Sequence, residues 1–258
     1  MIVPQGVALQ VFPADVKMFR EPVRWRQGQG MAIFRLIDEP VFPPPDYADP
    51  NGLLAVGGDL SSDRLLEAYR LGIFPWYSDD QPILWWSPDP RLVLKLDEFK
   101  VSRSLRKTLK KGVFKVTLDR AFEEVVRACA ALPRAGQKGT WITAEMQQAY
   151  IKLHGLGYAH SVESWRGEEL AGGLYGVSLG KAFFGESMFH RETDASKVAL
   201  AVLVEKLKVW QFHFIDAQMA TKHLLSLGAA EMPRRIFLKR LQSALRHPTR
   251  RGKWRIDK

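Results

Sequence analysis

From residue 91 onward, apolar and polar positions recur with two periods, and the switches between them mark the elements. "RLVLKL" and "VFKVTL" have the short, apolar, branched texture of strands, and "VSRSLRKTLKKG" between them predicts a basic helix. In "DRAFEEVVRACAAL", residues Phe122, Val125, Val126 and Cys129 share one helical face, so Cys129 is expected to be a small buried hydrophobe. "TAEMQQAYIKLHGLG" predicts a Thr-capped helix ended by glycines. "YAHSVESW", "LAGGLYGV" and "KAFFGESMF" then alternate as strands, joined by "RGEE" and "SLG", the short connections of a β-meander. A long helix in "TDASKVALAVLVEKLKVW" turns Ala199, Leu200, Val202, Leu203 and Leu207 inward, a strand in "FHFIDAQ" follows, and a last helix ends the domain. Helices interleaved with antiparallel strands predict an α+β domain whose sheet is splayed around a substrate groove.

Upstream the pattern is weaker. Residues 1–30 are polar and barely periodic, so the folded chain is expected to begin near Met31, with an N-terminal domain over 31–90 and a second domain over 91–245. "SSDRLLEAYRLG" predicts a Ser-capped helix with Leu65, Leu66 and Tyr69 on one face and Gly72 closing it. The stretch "GIFPWYSDDQPILWWSPDPR" at 72–91 is so interrupted by proline that neither a regular helix nor a central strand is expected there. Residues 246–258 form a basic tail around Trp254, readable as a nucleic-acid wrap or as a flexible solubilising tail.

Composition narrows the function. The 258 residues are 46% apolar, enough for a real core, and a lone Cys129 excludes an intrachain disulfide and a cysteine cage for metal, which fits a reducing, cytoplasmic location. The six histidines show no metal-ligand spacing, so no metal is expected. The glycines match neither a phosphate-gripping loop nor a dinucleotide fingerprint, so neither ATP nor NAD is expected. No run of eighteen apolar residues exists, and a membrane anchor is not expected. The formal charge of +10 favours a polyanionic partner, which by charge alone is either nucleic acid or an anionic surface. Arg103, Arg106, Lys107, Lys110 and Lys111 recur along one helix that carries no acid, an arrangement suited to successive phosphates. Glu186 in "FFGESMF" and Asp216 in "FIDAQ" lie in buried-looking runs, where an acid is costly unless it is paired or functional.

Several strings together carry a resemblance: "NGLLAVGGDLSSDRLLEAYRLGIFPWYSDDQPILWWSPDPRLVL", "GTWIT", "GYAHSVESW", "LAGGLYGV", "FFGESMF", "ASKVAL", "IDAQ" and "SLGAAEMPRR". In this order, over about residues 34–240, they resemble the bacterial leucyl/phenylalanyl-tRNA–protein transferase family. The resemblance implies an N-terminal domain peculiar to the family and an acetyltransferase-like (GNAT-type) catalytic domain with a mostly antiparallel sheet, without coenzyme A or any other cofactor. It implies an aminoacyltransferase acting as a monomer. Leu or Phe, and Met less well, would pass from the acceptor end of aminoacyl-tRNA to the N-terminal amine of proteins beginning with Arg or Lys, marking them for degradation.

The same resemblance implies residue roles. Asp216 and Gln218 would form the catalytic pair, Asp216 accepting the amine's proton, with Glu186 beside them; Gln218 would share the face of Asp216 by the period of a strand. Leu174, Phe183 and Leu200 would line the pocket for the aminoacyl side chain, joined by Leu203 where relatives carry an aromatic. Trp76 and Trp141 would contact the terminal adenosine and the aminoacyl group, with Tyr69 lining that site or packing, while Trp85 and Trp86 would lock a seam between domains.

Overall fold

The computed structural model describes residues 33–131 and 142–256; the proposed N-terminal extension, the Gly/Lys loop and Trp141 lie outside them. The chain divides into two compact units, the first containing residues 33–88 and the second residues 89–131 and 142–256.

In the first unit, β1 (Phe34–Leu36), β2 (Leu53–Gly57), α1 (Ser62–Arg70), β3 (Phe74–Pro75) and β4 (Leu84–Trp86) follow in chain order, and the strands form one sheet in the order β1-β2-β4-β3. α1 begins where the Ser61 hydroxyl accepts from the Arg64 amide at 3.4 Å, and its Leu65, Leu66 and Tyr69 are buried. Arg64 is also fully buried, its guanidinium donating to the Ile37 and Asp38 carbonyls and to Asp59. The aromatic stretch corrects the sequence reading. β4, made of Leu84, Trp85 and Trp86, is an interior strand between β2 and β3. Pro82 and Pro88 fall outside its ends, and Pro75 sits on the edge strand β3, where a missing N–H breaks no inner ladder. Within this unit Trp85 is fully buried, donates to the Gly57 carbonyl at 2.8 Å and meets Phe42 edge-on.

The second unit contains β5 (Arg91–Lys95), α2 (Arg103–Lys111), β6 (Lys115–Leu118), α3 (Phe122–Ala131), α4 (Ala144–Gly155), β7 (Ala159–Arg166), β8 (Glu169–Leu179), β9 (Ala182–His190), α5 (Ala195–Val209), β10 (Phe214–Gln218), α6 (Lys222–Ser226), β11 (Ala230–Met232) and α7 (Arg234–Leu245). Its sheet runs β11-β5-β10-β9-β8-β7-β6, antiparallel at every junction except the parallel β9–β10 pair. The β7–β8–β9 meander and the β9–α5–β10 crossover are the connections that the periodicity predicts.

One face of this sheet is closed by α5, whose Leu200, Leu203 and Leu207 join Leu92, Leu94, Leu174, Phe183 and Ile215 in a single core cluster. α3 packs on β8 from the other side, with Val125 beside Gly173, and buries Cys129 completely. α2 is capped by the Ser102 hydroxyl and closed by Gly112 in the left-handed region at φ 59°, and it anchors to Ala195 and Val198 through Leu105. Among the described residues no helix is long and apolar enough to cross a membrane.

The segment after α7 is part of the core, contrary to the flexible reading. Trp254 is 2% exposed, stacks on His160 at 3.7 Å and donates its amide to Asp119 Oδ2 at 2.7 Å. Asp119 also accepts from His160 Nδ1 and from the Ser161 amide, each at 2.8 Å. Burial pushes the His160 pKa down, outweighing the pull of Asp119 toward the charged form. Beside it Glu163 is buried, with burial holding its carboxyl above the usual range, and it takes hydrogen bonds from the Ser161 and Thr117 hydroxyls and the amides leading into α3. This acid is therefore a cap for α3 supplied by a strand.

Candidate active site

Two β-bulges, one on each of the neighbouring strands β9 and β10, build the site. On β9, Gly176 pairs with Gly185 and Tyr175 with Ser187, so Glu186 is the extra residue. On β10, Asp216 pairs with Val93 and Gln218 with Leu92, so Ala217 is the extra residue. The parallel β9–β10 ladder starts at Phe214 and Ala182 and ends at Asp216 and Phe184, before either strand does. Beyond that point the strands part, and Glu186 and Gln218 fall at the fork.

The bulge on β10 corrects the expectation that period two aligns Asp216 with Gln218. Gln218 adopts φ 56°, a conformation uncommon for a residue with a side chain, and its amide folds back to Asp216 Oδ1 at 3.1 Å. The two residues are joined through backbone and carboxylate, and the Gln218 side chain is released toward β9, where Nε2 donates to Glu186 Oε1 at 3.3 Å.

Two partners invisible in the sequence reading complete the constellation. Arg91, the first residue of β5, clamps Asp216 with Nε to Oδ1 at 2.8 Å and Nη2 to Oδ2 at 2.6 Å, and its guanidinium lies 4.7 Å from the centre of the Phe237 ring. Tyr150, on the inward face of α4, donates its hydroxyl to Glu186 Oε2 at 2.7 Å. A continuous chain thus runs Arg91, Asp216, Gln218, Glu186, Tyr150, with every member buried. A periodic apolar face hides Tyr150 as core, and an apolar strand hides Arg91; a charged residue opening such a run was the available signal.

The residues of the expected pocket are brought together. Leu174, Phe183, Leu200 and Leu203 are all buried in the cluster beneath α5. Gly176 makes room for one of them, because a Cβ there would stand 2.6 Å from the Phe183 ring. Trp76 and Tyr69 belong to the first unit and are buried in it. Trp76 accepts from Trp86 Nε1 through its carbonyl at 2.7 Å, and its own indole N–H has no acceptor among the described residues. A buried donor without a partner is costly unless a ligand supplies the acceptor.

Arg103, Arg106, Lys107, Lys110 and Lys111 are all exposed on α2, and none forms an ion pair among the described residues. All five lie on the face of α2 opposite the buried Leu105.

The family model described as leucyl/phenylalanyl-tRNA protein transferase matches residues 93–242, and the model for that family's N-terminal domain matches residues 58–89. Proteins named leucyl/phenylalanyl-tRNA–protein transferase are similar over most of the chain. The one from Anaeromyxobacter sp. (strain Fw109-5) is 61% identical, covering 88% of this chain and 97% of its own. That from Maridesulfovibrio salexigens is 59% identical over 87% of this chain and 94% of its own, and that from Syntrophotalea carbinolica is 61% identical over 85% and 95%.

Proposed function

Because the chain belongs to the leucyl/phenylalanyl-tRNA protein transferase family, we propose that it moves Leu or Phe, and Met less well, from charged tRNA to the N-terminal α-amine of proteins beginning with Arg or Lys. As a member of that family it is an aminoacyltransferase, and its reaction class is aminoacyl transfer from tRNA to protein. The added residue would be a destabilising N-terminus that commits the acceptor to regulated proteolysis, in the cytoplasm where tRNA and protein substrates meet. The second unit is, in this reading, an acetyltransferase-like domain acting without coenzyme A.

The chemistry is aminolysis of an ester. The amine nitrogen attacks the aminoacyl carbonyl carbon, a C–N bond forms, the C–O bond to the ribose breaks, and the ribose oxygen leaves with a proton. The donor bond is already activated, so the protein's main task is orientation. The amine must first be neutral, and with a pKa of about 8 it needs only a modest acceptor for its proton.

The observation that carries the assignment is the hydrogen-bonded chain at the fork of β9 and β10. Asp216 has both oxygens engaged by Arg91 and one of them also by the Gln218 amide, which leaves it little room to reach an incoming amine and makes it a firm anchor for Gln218. Glu186, steadied by Tyr150 and Gln218, then takes the proton from the amine or holds it as ammonium before attack. Gln218 orients the amine or the ester carbonyl. Asp216 thereby retains a place in catalysis, acting through its neighbour.

Leu174, Phe183, Leu200 and Leu203 accept the aminoacyl side chain, and such an apolar cavity discriminates by size and branching, about 1–3 kcal/mol per methylene. Trp76, with Trp141 and Tyr69, receives the terminal adenosine or the aminoacyl group; the unsatisfied Trp76 N–H supports that use. Arg103, Arg106, Lys107, Lys110 and Lys111 hold acceptor-stem phosphates without reading sequence.

The test is transfer of labelled leucine from Leu-tRNA to a peptide with N-terminal Arg. Label should enter that peptide and not one with N-terminal Asp, and Glu186→Gln should abolish most turnover with the fold retained. Absence of transfer to any basic N-terminus would end the reading.

A further inference from the structure

The longest acid-free stretch of the folded chain lies beyond the catalytic chain of residues, in α7 and the segment after it. Between Met232 and Ile256 there is no Asp or Glu. α7 buries Phe237, Leu241 and Ala244 against the sheet and leaves Arg235, Lys239 and Arg246 exposed. These three stand at i, i+4 and i+11, with Gln242 at i+7 on the same face, so the cations form one line about 16 Å long.

The line has a direction set by its ends. Near its start, Phe237 carries the Arg91 guanidinium on its ring, and the Arg234 amide donates to Asp89 at 2.9 Å, so α7 begins beside the Arg91–Asp216 pair. At its other end the Ala244 carbonyl accepts from the Lys181 amide in the β8–β9 turn. The chain then continues across the end of the sheet, pinned by Thr249 to Gly180, by Arg250 over Trp210 at 4.3 Å and by Arg251 over Tyr158 at 4.5 Å. Arg246, Arg250, Arg251, Lys253 and Arg255 are exposed along that path, and none forms an ion pair among the described residues.

The surface is crowded with like charge and is held in place. His213 and His247 meet edge-on at 5.2 Å in the same region, and the His213 pKa is lowered first by burial and then by His247 and Lys181. The polar line is also rigid: buried Trp254, held by Asp119, fixes the path of the last residues, so the charges are presented in place.

We propose that α7 and the pinned C-terminal segment form a second track for an RNA sugar-phosphate backbone, carrying the tRNA away from the aminoacyl end that the proposed function places at the fork of β9 and β10. The proposal rests on that function for the identity of the RNA, and on Arg235, Lys239 and Arg246 for the contact. A lipid surface fits less well. The apolar side of α7 faces the core, the only indole of the segment is sealed beneath it, and Ile256 is the one large apolar side chain that the described part of the segment exposes, so little is offered for insertion.

The experiment uses the full chain with Arg235→Gln, Lys239→Gln and Arg246→Gln combined, beside a control in which Arg106, Lys107 and Lys110 of α2 become Gln. Binding of Leu-tRNA is titrated against salt, transfer is measured from Leu-tRNA and from leucyl-adenosine, and binding to phosphatidylserine vesicles is measured in parallel. The α7 variant should bind tRNA at least tenfold more weakly near physiological salt, and its log-log salt slope should fall by about 2, at roughly 0.7–0.9 for each phosphate no longer neutralised. Its melting temperature and its transfer from leucyl-adenosine should be unchanged. An unaltered salt slope in the α7 variant, with a reduced slope in the α2 control, overturns the track and leaves the proposed function standing. Loss of vesicle binding with intact tRNA binding overturns it in favour of a membrane surface. Should the wild type transfer from neither donor, the proposed function fails, and the tRNA titration still judges the track.

Discussion

Arg91 and Asp216 face each other in a bidentate ion pair, 2.8 Å and 2.6 Å between heavy atoms, with side chains 1% and 0% exposed. Such a pair resists the removal of one partner, because the other charge is left buried and uncompensated. Asp216→Ala should therefore destabilise the fold by about 3–5 kcal/mol as well as stopping transfer. The double variant Arg91→Met with Asp216→Leu should recover most of that stability in a urea melt and none of the activity. Recovery of both would remove Asp216 from the mechanism.

Tyr150 donates to Glu186 from α4, and Gln218 from β10, so the two donors hold the carboxylate from opposite sides in the sequence. Tyr150→Phe removes one donor to a charged acceptor, worth about 1.5–3 kcal/mol when desolvated. kcat should fall by about one to two orders of magnitude with the KM for peptide changing less, and Glu186→Asp, which retracts the carboxylate, should fall further. A Tyr150→Phe enzyme with wild-type kcat would show that Glu186 needs no positioning.

The C-terminal segment behaves as core. Trp254 packs among His160, Phe183, Trp210 and Phe212, and truncation of so large a buried aromatic costs about 3–5 kcal/mol. Trp254→Ala should lower the melting temperature by many degrees and lower transfer in proportion to unfolded protein at assay temperature, whereas Lys253→Ala, an exposed neighbour, should leave stability unchanged. Equal melts for the two variants would return the segment to the status of an appendage.

Most elements from residue 91 to 245 were legible because each buries one periodic face; α6, which buries no residue, and β11, with two of its three residues exposed, gave no such signal. The departures have physical causes. β4 is a strand of three residues, too short for a period, and its prolines act as end stops rather than interruptions. The bulges at Glu186 and Ala217 add one residue each to a ladder, which no alternation pattern can show. Trp254 belongs to the core through contacts with residues about 40 to 135 positions earlier, beyond the reach of local texture. The candidate carboxylates stood out because buried acids need a reason, while Arg91 and Tyr150, which supply that reason, look like ordinary strand and helix residues.

Acid should unfold this protein earlier than carboxylate protonation alone would. His160, His213 and His223 all have pKa values lowered below 6.5, each chiefly by burial. As pH falls through 6.5 the unfolded chain gains protons on these rings while the folded chain does not, so stability drops from that point downward. Glu163 has the opposite sign: its raised pKa means that the folded state holds a proton the unfolded state has lost, so its contribution falls as pH rises through and above 4.5. Urea melts at pH 5.5 and 7.5 should show lower stability at pH 5.5, and the gap should narrow in His160→Asn even if that variant is weaker at both. A gap unchanged by the substitution would assign the acid sensitivity to other groups.

Leu203 offers the sharpest handle on which amino acid is carried. It is fully buried on α5 in the cluster that also contains Leu174, Phe183 and Leu200, one helical turn from Leu200. Replacing it by Phe adds volume to a packed site, and the added ring must either occupy the aminoacyl cavity or strain its walls, at a cost of about 1–3 kcal/mol. If the cavity takes the ring, phenylalanine loses more than leucine, because the larger side chain needs the space now filled. In competition between Phe-tRNA and Leu-tRNA, kcat/KM for Phe should fall about tenfold or more relative to Leu in Leu203→Phe, and Leu203→Ala should shift the ratio toward Phe. The two substitutions push the ratio in opposite directions only if Leu203 borders the bound side chain; equal losses for both donors would mean that the residue supports the core and lies outside the pocket.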